Sequence, residues 1–172
     1  SGLLGGHANN ALDRHHFALH VRGAAADQLR FYRHLPTASI GRYQISDREL
    51  RIDHCHDNGI AVVRRLSGGG AVYLDSGQLC WTLLLRLPAA WRSFDLAQLL
   101  AVFCGALAAA LQRLGIAVRH KYPNDLEIDG RKIATLFAAG AAESLLLHGI
   151  LLLDADIQTM LEVLRVPTEK LS

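Results

Sequence analysis

The chain predicts an α+β fold in which a mainly antiparallel or mixed β-sheet is packed with helices. Three observations carry this prediction. Short β-branched or alternating runs are interspersed with stretches of helical periodicity. Hairpin signals dominate over regular β-α-β units. Of 172 residues, 51% are apolar and 20% charged, enough for one sizeable core in a single domain over residues 1–172.

The elements follow in order. Residues 10–21 read as a helix with Ala11, Leu12, His15, Ala18 and Leu19 on one side and Gly23 as its stop. Residues 28–33 (QLRFYR) alternate as a strand punctuated by Pro36, and residues 38–44 form another. Ser46 and Glu49 have capping-box spacing and open a short helix that ends near Gly59. Residues 60–65 (IAVVRR) are apolar and β-branched, as in a buried strand, and a glycine loop (SGGG, 67–70) follows. Residues 71–73 begin the next strand, Asp75, Ser76 and Gly77 form a turn, and residues 79–87 (LCWTLLLRL) form a core strand. Leu96, Leu99, Leu100, Phe103, Leu107, Leu111 and Leu114 recur at helical spacing, which predicts a long buried helix stopped by Gly115. Residues 124–134 read as a hairpin turning at Asp129-Gly130. Residues 145–153 (LLLHGILLL) are a core strand. Residues 154–166 are an amphipathic helix with Ile157, Met160, Leu161 and Leu164 inward and Pro167 beyond it.

Composition excludes several classes. A formal charge of +2 is too mild to point to nucleic acid. No apolar run approaches the roughly 18 residues of a membrane span, and the longest, around 99–111, is broken by Gly105. The N-terminal residues lack the pattern of a signal peptide. Cys55, Cys80 and Cys104 are scattered without CxxC spacing, which predicts reduced thiols in a cytoplasmic protein. His15, His16 and His20, like His54 and His56, sit on helices where neighbouring positions point apart, a poor basis for chelation.

Three segments can carry chemistry. In Arg64-Arg65-Leu66-Ser67-Gly68-Gly69-Gly70, consecutive glycines let backbone N–H groups approach an anion, and two arginines add planar donors. A flexible hairpin loop beside an exposed arginine pair explains the same residues. No GK[ST] follows, and a strand rather than a helix comes next, so neither a P-loop nor a dinucleotide fingerprint is present. In the second segment, Asn124 and Asp125 enter the hairpin and Lys132 follows its turn, where an ammonium can reach a phosphate or carboxylate. An Asx turn and a solvated strand lysine are the alternatives. The third is His148-Gly149 within an apolar strand: the histidine needs partners, either a backbone carbonyl or a ligand, and the glycine marks a close approach.

Together these residues resemble a known family. Residues 64–73 (RRLSGGGAVY), with Asp75 and Gly77, closely resemble the RRxSGGGAVxHDxG signature of lipoate-protein ligases. Asn124-Asp125, the Asp129-Gly130-Arg131-Lys132-Ile133 run and His148-Gly149 with Asp154 follow in the family's order. Upstream, residues 10–13 (NALD) and 40–44 (IGRYQ) are also similar to family segments, so the likeness covers nearly the whole chain. The resemblance implies an enzyme that activates lipoate with ATP and Mg²⁺ to lipoyl-AMP. The lipoyl group then passes to a lysine on a lipoyl domain of a 2-oxoacid dehydrogenase E2 subunit or on the glycine-cleavage H protein. Carried over by position, Arg65 and residues Ser67, Gly68, Gly69 and Gly70 line the lipoyl and phosphate channel. Arg64 and Asp75, in the same signature, are implied to bind substrate or ATP. Lys132 is implied to hold the carbonyl and phosphate oxygens of the acyl-adenylate as the catalytic residue. Asn124 and Asp125 lie by the nucleotide, Asp125 as a Mg²⁺ ligand, with His148 near the same pocket.

The chain departs from the pattern in three places. Leu74 stands where the signature has histidine, Thr135-Leu136-Phe137 is bulkier than the family's glycine and small residues, and the chain stops at Ser172. The resemblance therefore implies that the C-terminal accessory domain of bacterial ligases is absent from this chain, with an accessory ligase chain as a further partner. Octanoyl or lipoyl transfer from a carrier-protein thioester is an alternative, although no cysteine lies between Pro123 and Gly130. A non-catalytic module that binds lipoyl domains is another.

Overall fold

A computed structural model describes residues 2–165. In chain order it comprises β1 (Leu3–Leu4), α1 (Gly6–Val21), β2 (Gln28–His34), β3 (Thr37–Ile40), α2 (Ser46–Glu49), α3 (Ile52–Asp57), β4 (Ala61–Arg64), β5 (Val72–Leu74) and β6 (Gln78–Arg86). A 3-10 turn, Ala89–Trp91, leads to α4 (Leu96–Arg113), β7 (Arg119–Lys121), β8 (Asp125–Ile128), β9 (Arg131–Ala141), β10 (Ser144–Leu152) and α5 (Ile157–Val163). The strands form a seven-stranded sheet in the order β1-β2-β6-β10-β9-β8-β7 and a three-stranded sheet in the order β4-β3-β5. Only β1–β2 and β3–β4 pair in parallel among the described residues, so the mainly antiparallel, mixed α+β expectation holds.

Side-chain alternation decides what each face of the large sheet does. On β10, Leu145 and Leu147 point to α4 and pack with Leu99, Leu100, Cys104, Ala108 and Leu111, while Leu146 meets Phe17 of α1 and Leu84. On β9, Ala134, Leu136 and Ala138 join the α4 core. Phe137 faces the other way and packs with Tyr32, Leu74, Cys80 and Ile150. The small sheet, with α3 and α5, encloses a fourth cluster of Ala38, Ile40, Leu50, Cys55, Ile60, Tyr73 and Val163.

A bulge re-aims one side chain of the β8–β9 hairpin. Leu126 pairs with Ala134 but Glu127 pairs with Lys132, leaving Ile133 as the extra residue on β9. Regular alternation would put Lys132 on the α4 face with Ala134. The inserted residue turns it to the face of Asp125 and Thr135 instead, a usual effect of bulges near functional sites. The hairpin turn itself is as expected: Asp129 and Gly130 both have positive φ (49° and 76°), as a type I′ turn requires.

Other expectations are corrected. The buried side of α1 is Gly6, Asn9, Asp13, Phe17 and His20, not the side carrying Ala11, Leu12, His15, Ala18 and Leu19, because this helix lies on a polar seam. Ser46 is not the cap of a capping box: Ile45 is the N-cap, with no side-chain bond, and the segment breaks into α2 and α3. A capping box forms at α4 instead, between Asp95 and Gln98. Strand β3 stops at Ile40 because residues 41–44 turn, with the Gln44 N–H donating to the Gly41 carbonyl. In α5 the inward positions are Met160, Val163 and Leu164, whereas Ile157 and Leu161 are exposed. Val166 and Pro167 lie outside the described residues. Leu96 and Leu114 are exposed ends of α4 rather than part of its buried stripe. By length and composition α4 does reach what a membrane span needs, with 18 residues at a mean hydropathy of 1.5 and 22% of them buried, so the run-length expectation fails for this helix.

Candidate active site

The glycine loop joins β4 of the small sheet to β5 and leans against β9 of the large one. The N–H of Gly68 donates to the Ala138 carbonyl (3.3 Å), so this amide is not free for an anion. Gly69 has φ +85°, and a Cβ there would run into the Phe137 ring. Both demands require glycine.

Both arginines bind backbone carbonyls, Arg64 at the surface and Arg65 in the interior. Arg64 donates from Nη1 to the carbonyls of Gly41 (3.1 Å), Arg42 (3.2 Å) and Gln44 (2.7 Å), fixing the turn after β3. These three bonds use Nη1 alone. Arg65 is buried and donates to the carbonyls of Ser39 (3.0 Å), Gly68 (2.7 Å) and Gly70 (2.6 Å). Its guanidinium lies 4.0 Å from the Phe137 ring centroid. Burial pulls its pKa down to about 9, still well above neutrality. Arg65 therefore shapes the loop and walls a cavity. Its buried Nε has no partner.

Ser67 is fully buried and hydrogen-bonds His148 Nδ1 (2.7 Å). His148 Nε2 meets Asp13 Oδ2 (3.2 Å). His148 thus has two side-chain partners, where the sequence left a backbone carbonyl or a ligand. Asp13 also accepts from Arg30 (2.8 Å) and Thr82 (2.8 Å). Burial is the largest influence on its carboxyl and raises its pKa. The hydrogen bonds and charges of His148 and Arg30 together outweigh it and bring the value to about 2. Gly149 makes room for the Trp81 ring, so the close approach it marks is a side chain, not a ligand.

Asp75 also departs from expectation. One carboxylate oxygen accepts from the Gly77 N–H (2.7 Å) and the other from the Asp156 N–H (2.9 Å). It ties the β5–β6 turn to the start of α5 and does not line either chamber described next.

Two cavities lie side by side between the sheets. The outer one, about 490 Å³, is lined by Gly69, Gly70, Asn124, Asp125, Lys132 and Thr135 and by apolar residues of β5, β10 and α5. The inner one, about 40 Å³, is lined by Asp13, Tyr32, Arg65, Cys80 and His148 among others. Val72, Phe137 and Ile150 line both. At the outer rim Lys132 Nζ pairs with Asp125 Oδ2 (2.7 Å), and the other Asp125 oxygen is buried without a partner. Asn124 is clamped to β9: its Nδ2 donates to the Leu136 carbonyl (2.9 Å), and its own carbonyl accepts from the Leu136 N–H (2.8 Å). Of the residues singled out in the sequence, Gly69, Gly70, Asn124, Asp125 and Lys132 share the outer chamber, while Arg65 and His148 wall the inner one. Asp13 and Phe137 join the site only through the fold. Besides the NALD segment, the sequence signal for Asp13 is a charged residue four positions after Asn9 and four before Phe17 on the same helical stripe.

The arrangement offers an ammonium, a carboxylate oxygen and glycine backbone at the mouth of a greasy cleft. No group of three or more His, Cys, Asp or Glu able to hold a metal occurs among the described residues.

Comparison with known proteins is consistent along the chain. The family model for the lipoyl protein ligase A/B catalytic domain matches residues 6–172. Lipoate-protein ligase LplJ of Bacillus subtilis is 33% identical over 144 residues, covering 83% of this chain and 42% of that protein. Lipoate-protein ligase A subunit 1 of Thermoplasma acidophilum is 32% identical over 152 residues, covering 83% of this chain and 56% of that one. The chain thus spans about half the length of these two relatives. A solved lipoate-protein ligase A bound with ATP superposes with a TM-score of 0.81 at 26% identity, over 98% of this chain and 73% of that one.

Proposed function

The chain belongs to the family of lipoyl protein ligase A/B catalytic domains, and from that membership we propose that it activates lipoate with ATP to lipoyl-AMP and transfers the lipoyl group to a protein lysine. The observation that carries the reading is the convergence of Lys132, Asp125, Asn124 and the Gly69–Gly70 backbone on one chamber with apolar walls. In the first step a lipoate oxygen bonds to the α-phosphorus of ATP, the bond to the β-phosphate breaks, and pyrophosphate leaves. In the second, a neutral lysine amine bonds to the acyl carbon, AMP leaves with the acyl–oxygen bond pair, and the amine sheds a proton. Negative charge grows first on phosphorus oxygens and then on the acyl oxygen. Lys132, held at the rim by Asp125 and by the bulge, supplies a fixed cation for both.

Mg²⁺ fits Asp125. That residue has a buried carboxylate oxygen without a partner, and Mg²⁺ commonly binds through one or two carboxylates plus substrate phosphates. When bound, it would neutralise phosphate charge. The acceptor in this reading is a lipoyl domain of an E2 subunit or an H protein, and an accessory chain completes the enzyme. The T. acidophilum relative, named as subunit 1, supports that division. Its solved neighbour, described as a bi-partite lipoate protein ligase with its E2 lipoyl domain, matches with a TM-score of 0.80 at 29% identity.

Transfer through a cysteine acyl-thioester is disfavoured by the thiols. Cys55, Cys80 and Cys104 are all buried, and burial pushes Cys80 and Cys104 up to about 12, far from the reactive thiolate. Three free thiols also support a reducing, cytoplasmic setting.

The test is lipoate-dependent ATP–pyrophosphate exchange, with and without a candidate accessory chain. Exchange is expected in the wild type and a loss of about 100-fold or more in Lys132→Ala. Folded wild-type protein that gives no exchange in either condition ends the reading.

A further inference from the structure

The ligase chemistry leaves Arg64 and the turn after β3 without a task, and the two meet. Arg64 Nη1 holds the carbonyls of Gly41, Arg42 and Gln44. The Gln44 side chain accepts from the Gly41 N–H (3.0 Å), and the Arg42 N–H donates to the Ser67 carbonyl (3.0 Å). A turn tied in this way gives up little freedom when something binds it. Its tip is nevertheless bare: Tyr43 is 84% exposed and Ile45 55%. Arg42, also exposed, holds its Cζ 5.8 Å from the Tyr43 ring centroid. Tyrosine and arginine are the residues enriched where partners bind most strongly. The turn also stands next to the outer chamber. A Cβ on Gly41 would strike the Gly69 carbonyl, and Gly69 and Gly70 line that chamber. Tyr43 follows Gly41 by two residues, at most about 7 Å along the chain.

We propose that Tyr43 and Ile45 dock the acceptor protein, seating in an apolar notch beside the lysine that is to be modified. The inference rests on the ligase reading. A lysine amine that reaches an acyl carbon in the outer chamber brings its own backbone to the rim. The acceptor surface around that lysine then lies against whatever borders the mouth, and the tied turn is what borders it on the glycine-loop side. There the Tyr43 ring buries apolar area while its hydroxyl stays at the wet edge. Arg64 is a positioning residue, acting only through the turn it holds. Neither Tyr43 nor Ile45 lines either chamber, so they add affinity for the acceptor and leave the acyl-adenylate untouched.

The experiment supplies preformed lipoyl-AMP to the full chain, with and without a candidate accessory chain, so that no adenylation step intervenes. Transfer is followed to an unmodified E2 lipoyl domain and, separately, to an unmodified H protein. The wild type is expected to modify at least one of them. The paired substitution Tyr43→Ser and Ile45→Ser is expected to raise the KM for that acceptor about tenfold or more. The kcat at saturating acceptor and the affinity for lipoyl-AMP stay unchanged, and Tyr43→Phe keeps the wild-type KM. Both positions are exposed, so the variants are expected to fold, which circular dichroism verifies. An acceptor KM within about twofold of the wild type in the paired variant overturns the proposal, as does a loss that falls on kcat alone. Folded wild type that transfers to neither acceptor overturns the ligase reading, and the docking proposal with it.

Discussion

At His34 a single buried imidazole makes the protein acid-sensitive. Burial pushes its pKa down to about 4, and the Asn9 amide lies against its Nδ1 at 3.3 Å. In the unfolded chain a histidine titrates near ~6.5. As pH falls from there to about 4, the unfolded chain takes up a proton that the folded protein refuses, and stability falls on the order of 3 kcal/mol. Asp13 extends the loss downward. Its unfolded carboxyl titrates near ~3.9, but the folded one holds off protonation until about 2. The expected outcome is a urea midpoint that declines steadily from neutral pH to pH 4, with His34→Gln flattening the decline. A midpoint that is level across that range contradicts it. At Gly149 a methyl group would enter the Trp81 ring. Gly149→Ala is expected to cost about 1–3 kcal/mol, read as a lower thermal midpoint.

Among the elements, the β8–β9 hairpin places Lys132 and Asp125 at the outer chamber. Its turn was legible because Asp-Gly is the residue pair that a two-residue hairpin selects. Its bulge was not. Ile133 looks like any strand residue, and only pairing against β8 reveals that Glu127 meets Lys132. Deleting Ile133 removes the extra residue and leaves Lys132 next to Ala134 in plain alternation, still opposite Glu127 on the Asp125 face. Exchange activity is expected to stay within about tenfold of the wild type, whereas Lys132→Ala loses about 100-fold or more. A loss in the folded deletion variant as large as that of Lys132→Ala contradicts this register. In α4, the Asp95 side chain accepts from the Gln98 N–H (2.8 Å), and the Gln98 side chain accepts from the Asp95 N–H (2.8 Å). Asp95→Ala is expected to lower stability by about 1 kcal/mol in a denaturant titration.

Across the whole molecule, α1 joins the two sheets through polar side chains. Asn9 reaches the Leu4 and Arg33 carbonyls, Asn10 and Arg14 reach the Arg64 carbonyl, and His20 links Ser144 to Asp27. The apolar-periodicity rule assumes that a helix buries grease, so it picked the wrong side of this one. The same limit explains why Asp13 and Phe137 stayed hidden. Their roles arise from neighbours more than fifty residues away in the chain, such as His148 and Arg65. The α+β class, the glycine loop and the Lys132 segment were legible because turn chemistry and strand alternation are local. The direction of Arg64 and the work of Asp75 were not, because a charged side chain satisfied by distant carbonyls or amides reads the same in sequence as one awaiting a ligand.

Strand β9 carries Lys132 near one end and Phe137 five residues on, with α4 packed behind the intervening Ala134 and Leu136. The outer rim and the wall between the two chambers are therefore set by one continuous piece of backbone, so a slip of this strand by one residue would displace the ammonium and the ring together.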